Sequence, residues 1–414
     1  MAVIFPIFKS VFQKIKEANL TEILLIAVLV TIPIVGHATN SIAIILFFLS
    51  ACYKFITNKK QFYFNKISLL LISLYIFFLC SLLWTNNLGN TRAGLEQFLS
   101  YLVLPIAFIF NTDKQFNKEK VISIFSLSLV IYGLLCLIVG VVNASKYSDI
   151  SFLFYHKLSG SLGNLNAIYL SVFISLGISF FVTKKNKSKL EFLCLIFLSL
   201  FLVLLSSKMV IAITFITSIL YFLRKRKFKK LNLKSAVLSI VILLVIIPAG
   251  SNLFSRIKVE FEKTEMNEVL HTKDFGHSYI WTGFGLRVFQ AKAFIEILKE
   301  KKNIVLGSGL NNSQDNLNEK YKEYNFYPGF LNYNYHNQYM QIFAELGIVG
   351  LCLLLLILLL ILKEAIINKD YFLLSFIILI LVVSFTESFL WRQRGMVFFI
   401  TVSLLLTKRE KYIN

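Results

Sequence analysis

Tyr335-His336-Asn337-Gln338-Tyr339-Met340-Gln341-Ile342-Phe343-Ala344-Glu345-Leu346-Gly347-Ile348-Val349-Gly350 joins the one long polar segment of the chain to a hydrocarbon run, Leu351 to Leu362. Apolar side chains at Tyr339, Ile342, Phe343, Leu346 and Val349 recur close to helical spacing. The stretch predicts a helix that begins near His336 and runs unbroken into a bilayer. On that helix His336, Met340 and Phe343 fall on one side, since positions i, i+4 and i+7 stack. An imidazole and an amide would then sit at the mouth of a membrane helix, with the rest of the chain as the scaffold around that corner.

Working outward, hydrophobic residues make up 57% of the 414, and the mean hydropathy is +0.72. Soluble domains run at roughly 45–50% apolar. Apolar runs near the 20 residues that a span requires recur at 20–36, 40–57, 67–84, 94–110, 121–142, 166–182, 190–206, 208–223, 233–249, 339–362, 371–386 and 395–406. The fold expected is all-α, a polytopic membrane protein of about twelve transmembrane helices. It divides into a membrane bundle over 1–249, a partly helical outer loop domain over 250–338, and three C-terminal membrane helices over 339–414. Only Ser206-Ser207-Lys208 separates the seventh and eighth runs. Lys9, Lys14 and Lys16 lead into an apolar stretch without a small-residue cleavage site, so no cleavable signal is expected.

The net charge of +21 raises the question of nucleic acid, but the cations sit mostly in short loops, where they set topology. With the N-terminus inside, the short inner segments hold 26 Lys and Arg and the short outer loops 6. Both termini then lie in the cytoplasm and segment 250–338 lies outside. His37, His156, His271, His277 and His336 all fall on the outer side, where acid–base chemistry near neutral pH is expected. Cys52, Cys80, Cys136, Cys194 and Cys352 lie in or beside apolar runs without metal-ligand spacing, and read as small core residues.

The outer segment has structure of its own. His271 to Gly285 reads as a loop. Leu286 to Glu300 reads as an amphipathic helix with Val288, Ala291, Phe294, Ile295 and Leu298 inside and Lys292, Glu296 and Lys299 outside. Arg287 in its first turn opposes the helix dipole, which suggests another use for it. Gly307-Ser308-Gly309 is a turn. Tyr321, Tyr324, Tyr327, Tyr333 and Tyr335, dense among asparagines, suit sugar contacts as well as they suit a plain polar loop.

Charges at the ends of membrane helices are costly and tend to be functional. The outer end offers Arg92, Lys157, Lys208, Arg287, His336, Arg392 and Arg394, a set of cations suited to an anionic head group. Each has an ordinary structural alternative. Arg287 could be a surface charge, His336 a helix cap, Lys208 a snorkelling interface residue, and Arg392 and Arg394 interface anchors paired with Glu387. No phosphate loop, Ser/His/Asp set or carboxylate cluster for a metal stands in the outer segments, so no cofactor and a metal-independent reaction are expected.

His336-Asn337, nine residues, then Gly347-Ile348-Val349-Gly350 resembles the signature of the O-antigen ligase / O-antigen polymerase family at the junction of its large periplasmic loop with the next span. Gly285-Leu286-Arg287, Gly307-Ser308-Gly309 and Gly163-Asn164-Leu165-Asn166-Ala167 are similar to further family features, and the layout agrees over nearly the whole chain. The sequence departs at Lys208, where the family usually carries arginine. Lysine keeps the charge but loses the bidentate fork. The resemblance implies a GT-C-like glycosyltransferase of the bacterial inner membrane. It would move a glycan from an undecaprenyl-diphosphate carrier to an acceptor hydroxyl on lipid A-core or a growing glycan. It implies His336 and Arg287 as catalytic, Lys208, Arg392, Arg394 and Arg92 as diphosphate ligands, and Asn337, Tyr339, Gly347 and Gly350 as support. The partners expected are these two substrates and membrane lipid, and no nucleic acid. The rival is a twelve-span transporter or lipid-linked oligosaccharide flippase, which should show repeat symmetry and proline- or glycine-broken spans.

Overall fold

A computed structural model of the chain describes residues 19–34, 36–57, 62–111, 116–225, 262, 265–408 and 410–412. It is almost entirely helical. The helices are α1 (Leu20–Ile34), α2 (His37–Thr57), α3 (Lys66–Cys80), α4 (Leu88–Gln97), α5 (Ser100–Ile109), α6 (Lys118–Tyr147), α7 (Tyr155–Ser159), α8 (Ala167–Thr183), α9 (Lys189–Leu204), α10 (Lys208–Lys225), α11 (Met266–His271), α12 (Gly283–Lys301), α13 (Ser313–Glu323), α14 (Gln338–Ile367), α15 (Tyr371–Thr386) and α16 (Gln393–Leu406). Two short strands, Phe62–Phe64 and Glu410–Tyr412, pair antiparallel.

Eleven of the twelve predicted apolar segments coincide with helices, and the one at 233–249 lies outside the described residues. Among the described residues, five helical stretches are long and apolar enough to cross a membrane, or six if Tyr155–Leu162 and Ala167–Thr183, bent by 81°, form one broken span. Three further apolar helices are shorter. The two helices α9 and α10 are indeed separate, but the break is Leu205-Ser206-Ser207, and Lys208 opens α10. All five cysteines are free, but Cys352 is exposed while Cys136 and Cys194 are buried, so the core assignment fails for Cys352.

Side-chain bonds fix which ends of the helices lie together. The Tyr221 hydroxyl donates to the Thr183 carbonyl at 3.1 Å, joining the ends of α8 and α10. The Tyr169 hydroxyl donates to the Ser388 carbonyl at 3.4 Å, setting the start of α8 against the end of α15. The beginnings of α8 and α10 and the end of α15 therefore share one end of the bundle. His156 stands there too, its Nδ1 accepting from the Ala167 amide at 3.3 Å.

Segment 265–337 is a layer with its own core of Phe275, Phe289, Tyr321, Tyr324, Phe326 and Tyr335. His271, expected at the start of a loop, closes α11. α12 starts earlier than predicted, capped by Thr282. Its buried face is Leu286, Phe289, Gln290, Ala293 and Ile297, while Ile295 is exposed. The predicted face was rotated from this one, because apolar residues occur all round the helix and buried Gln290 does not announce itself as core. Tyr321, Tyr324 and Tyr335 are buried in the layer's core and unavailable to sugars, whereas Tyr327 and Tyr333 are exposed.

Candidate active site

The corner at His336 is built by the cap of α14. The Asn337 side chain accepts from the amides of Tyr339 (2.9 Å) and Met340 (3.1 Å), which satisfies donors that a helix start leaves orphaned. Its own amide donates to the Phe385 carbonyl at 3.3 Å. The Tyr339 hydroxyl donates to the Leu381 carbonyl at 2.9 Å. Together they fasten the start of α14 to the end of α15.

His336 is thus not in the helix. It precedes the cap with φ of 44°, a left-handed conformation that costs a non-glycine residue about 1–3 kcal/mol. Its amide is held by Asn334 Oδ1 at 3.0 Å. This turn throws the imidazole sideways, to 3.4 Å between Nδ1 and Glu387 Oε2. The Glu387 side chain is 8% exposed. A carboxylate at Nδ1 favours the tautomer with its proton there, leaving Nε2 as an acceptor.

The imidazole and carboxylate form one wall of a cavity of about 740 Å³. Arg392 and Arg394, at the start of α16, form another. The Gly163-to-Asn166 turn, His37 and the loop Leu331 to Asn334 complete it. Arg394 Nη2 donates to the Gly163 carbonyl at 3.5 Å, and its buried Nε has no partner. Among the described residues neither arginine forms an ion pair. Glu387 faces His336 instead, so the proposed pairing of Glu387 with Arg392 and Arg394 is corrected. The chain separates them: Ser388 to Trp391 turn away from the end of α15 before α16 begins.

The other sequence candidates do not line this cavity. Arg287 Nε donates to the Thr386 carbonyl at 3.1 Å and Nη1 to the Gly283 carbonyl at 2.9 Å. It stands one residue from Glu387 and reaches the site through the backbone. Lys208 opens α10 at the same end of the bundle. Arg92 is exposed on α4. Lys157 is paired with Asp149 at 2.7 Å; hydrogen bonds from Lys157 and Ser151 hold that carboxyl well below the usual carboxylate range. Next to the site, burial and then the charge of Glu345 push the Tyr335 phenol far above its ordinary pKa, so it stays neutral.

The glycines of the signature do different work. α14 breaks at Gly347, with φ 64° and ψ −162°, so the expected unbroken helix is corrected. Segment 304–309 fills the break. Ile348 N donates to the Ile304 carbonyl at 2.9 Å, Ser308 N to the Ala344 carbonyl at 3.0 Å, and Gly309 N to the Glu345 carbonyl at 2.9 Å. A Cβ on Gly347 would run into the Val305 carbonyl. Beside the break, the carboxylate of Glu345, 1% exposed, accepts from the Asn312 amide at 3.0 Å, the Ser313 hydroxyl at 2.6 Å and the Gln341 amide at 3.0 Å. Gly350, one turn on, is buried.

Sequence reasoning did not nominate His37, Glu387, Asn334 or the Asn164 and Asn166 turn as site residues, although the cavity gathers them. The signal for the turn was present, since Asn166 caps α8 through the Ile168 amide at 2.8 Å. For His37 and Glu387 only the fold supplies the neighbour. Among the described residues no group of three or more His, Cys, Asp or Glu is placed to hold a metal ion.

Residues 192–355 match a family model described as O-antigen ligase. No curated protein matches the chain. The matched segment contains Lys208, Arg287, His336 and the Gly347 break, while Glu387, Arg392 and Arg394 come from helices beyond it. Over residues 192–355 the chain is thus similar to the O-antigen ligase family, which supports, in general terms, an enzyme of glycan transfer.

Proposed function

We propose that this protein transfers a glycan from undecaprenyl diphosphate to an acceptor hydroxyl at the periplasmic face of the bacterial inner membrane, with both termini cytoplasmic and residues 250–338 outside. One observation carries the reading: His336, backed by Glu387, lies in the same cavity as Arg392 and Arg394. A glycosyl diphosphate has a built-in leaving group, so its chemistry needs two things. Negative charge growing on the diphosphate must be stabilised, and fixed guanidiniums in a partly enclosed site do this well. The incoming hydroxyl must also be aligned and relieved of its proton, a task for a neutral imidazole nitrogen.

In the proposed step the acceptor oxygen bonds to the anomeric carbon as the bond from that carbon to the diphosphate oxygen breaks. The hydroxyl proton passes to His336 Nε2. The electron pair of the broken bond leaves on undecaprenyl diphosphate, opposite Arg392 and Arg394. Glu387 stabilises the imidazolium that forms. No metal ion takes part in this scheme. Arg287 is a positioning residue, bonding the carbonyl next to Glu387. Lys208 and Arg92 add positive potential for an approaching lipid diphosphate. The exposed Tyr333 and the amides of Asn332 and Asn334 supply glycan contacts.

The test is reconstitution of the purified protein with a defined undecaprenyl-diphosphate glycan, candidate acceptors and EDTA. Glycosylated acceptor should form, and correctly inserted His336→Ala should make almost none; wild-type transfer by that variant would sink the assignment. Deleting the gene separates the two acceptor classes. Loss of a ligase leaves long lipid-linked polymer, and loss of a polymerase leaves single repeat units.

A further inference from the structure

The opposite end of the bundle holds a second pair of concavities, of about 530 and 480 Å³, that share Thr183, Lys185, Asp370 and Phe372. They lie between the ends of α8 and α10 and the start of α15. Lys118, Lys184, Lys185, Arg224 and Lys369 line them, against the carboxylates Glu119 and Asp370. Two of the cations are already used. Lys184 pairs with Glu119 at 3.2 Å and Glu191 at 2.8 Å, and Lys118 donates to the Leu406 carbonyl at 3.2 Å. Asp370 is occupied as a helix cap, its Oδ1 accepting from the Phe372 and Leu373 amides. Lys185, Arg224 and Lys369 have no carboxylate partner among the described residues. Arg224 lies over the ring of Tyr371, 5.6 Å from its centroid.

Lys185, Arg224 and Lys369 line the smaller concavity, and the adjoining larger one, which shares Lys185 and Phe372 with it, has an apolar floor of Ile122, Phe180, Phe372 and Leu406. A free phosphate would match the rim and gain nothing from the floor. A phospholipid matches both. We propose that this end of the bundle binds one anionic phospholipid of the adjacent leaflet, its phosphate among Lys185, Arg224 and Lys369 and the head of its acyl chains against Phe180 and Phe372. Basic pockets between membrane helices recognise anionic head groups in this way. The proposal is independent of the transfer reaction at the other end.

The experiment is thermal unfolding of the full-length protein in detergent, titrated with phosphatidylglycerol, phosphatidylcholine or inorganic phosphate. Phosphatidylglycerol should raise the unfolding midpoint saturably and phosphatidylcholine should not. In the triple variant Lys185→Ala, Arg224→Ala, Lys369→Ala the half-saturating concentration should rise about tenfold or more, since each surface cation contributes severalfold to anionic lipid binding. Arg224→Gln alone, with a smaller rise, serves if the triple variant does not fold. Equal stabilisation by phosphatidylcholine, or unchanged titrations in both variants, overturns the proposal. The same shift with inorganic phosphate would mean that the site takes a soluble anion, and overturns it as well.

Discussion

The two ends of one sixteen-residue stretch, His336 and Gly347, differ in every physical respect. At His336 the polar groups face open volume. The imidazole turns off the helix, a buried carboxylate holds its rear, and two guanidiniums without ion-pair partners among the described residues share its cavity. At Gly347 the polar groups face each other. The backbone groups freed by the break are taken up by segment 304–309, and a carboxylate buried beside it accepts three hydrogen bonds. Unmet polar potential is expensive when buried, so it is kept where a substrate can meet it. The satisfied end fastens the layer of residues 265–337 to α14 and so holds the open end in register. On the proposed reading, one motif therefore carries chemistry at its first residues and assembly at its last.

That contrast breaks if the two ends respond alike to mutation. The largest effect is expected at His336→Ala, a loss of about 10²–10⁴ in transfer rate, the usual worth of a general base. Its thermal unfolding midpoint should stay close to wild type. A large drop in that midpoint would show the open end to be structural after all. Next is the double change Arg392→Ala, Arg394→Ala. It should cost about 10²–10³ in rate, as removal of preorganised charge stabilisation does, and should also weaken donor binding. Transfer kinetics at saturating acceptor measure both.

Gly347→Ala tests the closed end with the opposite readout. The backbone there adopts a conformation essentially reserved for glycine, which costs any other residue about 1–3 kcal/mol, and the added methyl meets the Val305 carbonyl. The unfolding midpoint and the yield of inserted protein should fall, while the rate per folded molecule changes far less than in His336→Ala. Glu387→Gln returns to the open end. The imidazole keeps a neighbour of the same size but loses the negative charge that stabilises its protonated form. A loss of roughly 10- to 100-fold is expected, by analogy with the carboxylates that orient metal-bound histidines. It should fall on kcat with KM for the donor unchanged, because Glu387 acts through His336.

How far the sequence revealed this follows the same division. Long apolar runs at helical period reported the membrane helices, since each run is local and carries its own signal. The asparagine turn before α8 was legible for the same reason, whereas the cap of α14, read at His336, falls one residue on at Asn337. The break at Gly347 was not, because its cause lies some forty residues away in segment 304–309, and an apolar helix passing through a glycine reads as continuous. Glu387 misled for a related reason. Its nearest charged neighbours in sequence are Arg392 and Arg394, yet the turn from Ser388 to Trp391 carries them to a different wall and gives the carboxylate to His336.

Arg287 sharpens the comparison at the smallest scale, because it belongs to the layer of residues 265–337 yet bonds the residue before Glu387. Its planar fork places Nε on the Thr386 carbonyl and Nη1 on the Gly283 carbonyl at once. A lysine could keep the charge but reach only one of the two, since its donors radiate from a single nitrogen. Arg287→Lys should therefore lose about tenfold in rate, as expected for one lost charge-assisted hydrogen bond, and Arg287→Ala somewhat more. If the charge alone mattered, as for a residue that merely attracts the diphosphate, the lysine variant would match wild type and only alanine would fail. Measured side by side, the two variants separate a group that aims the Glu387 carboxylate from one that only adds positive potential.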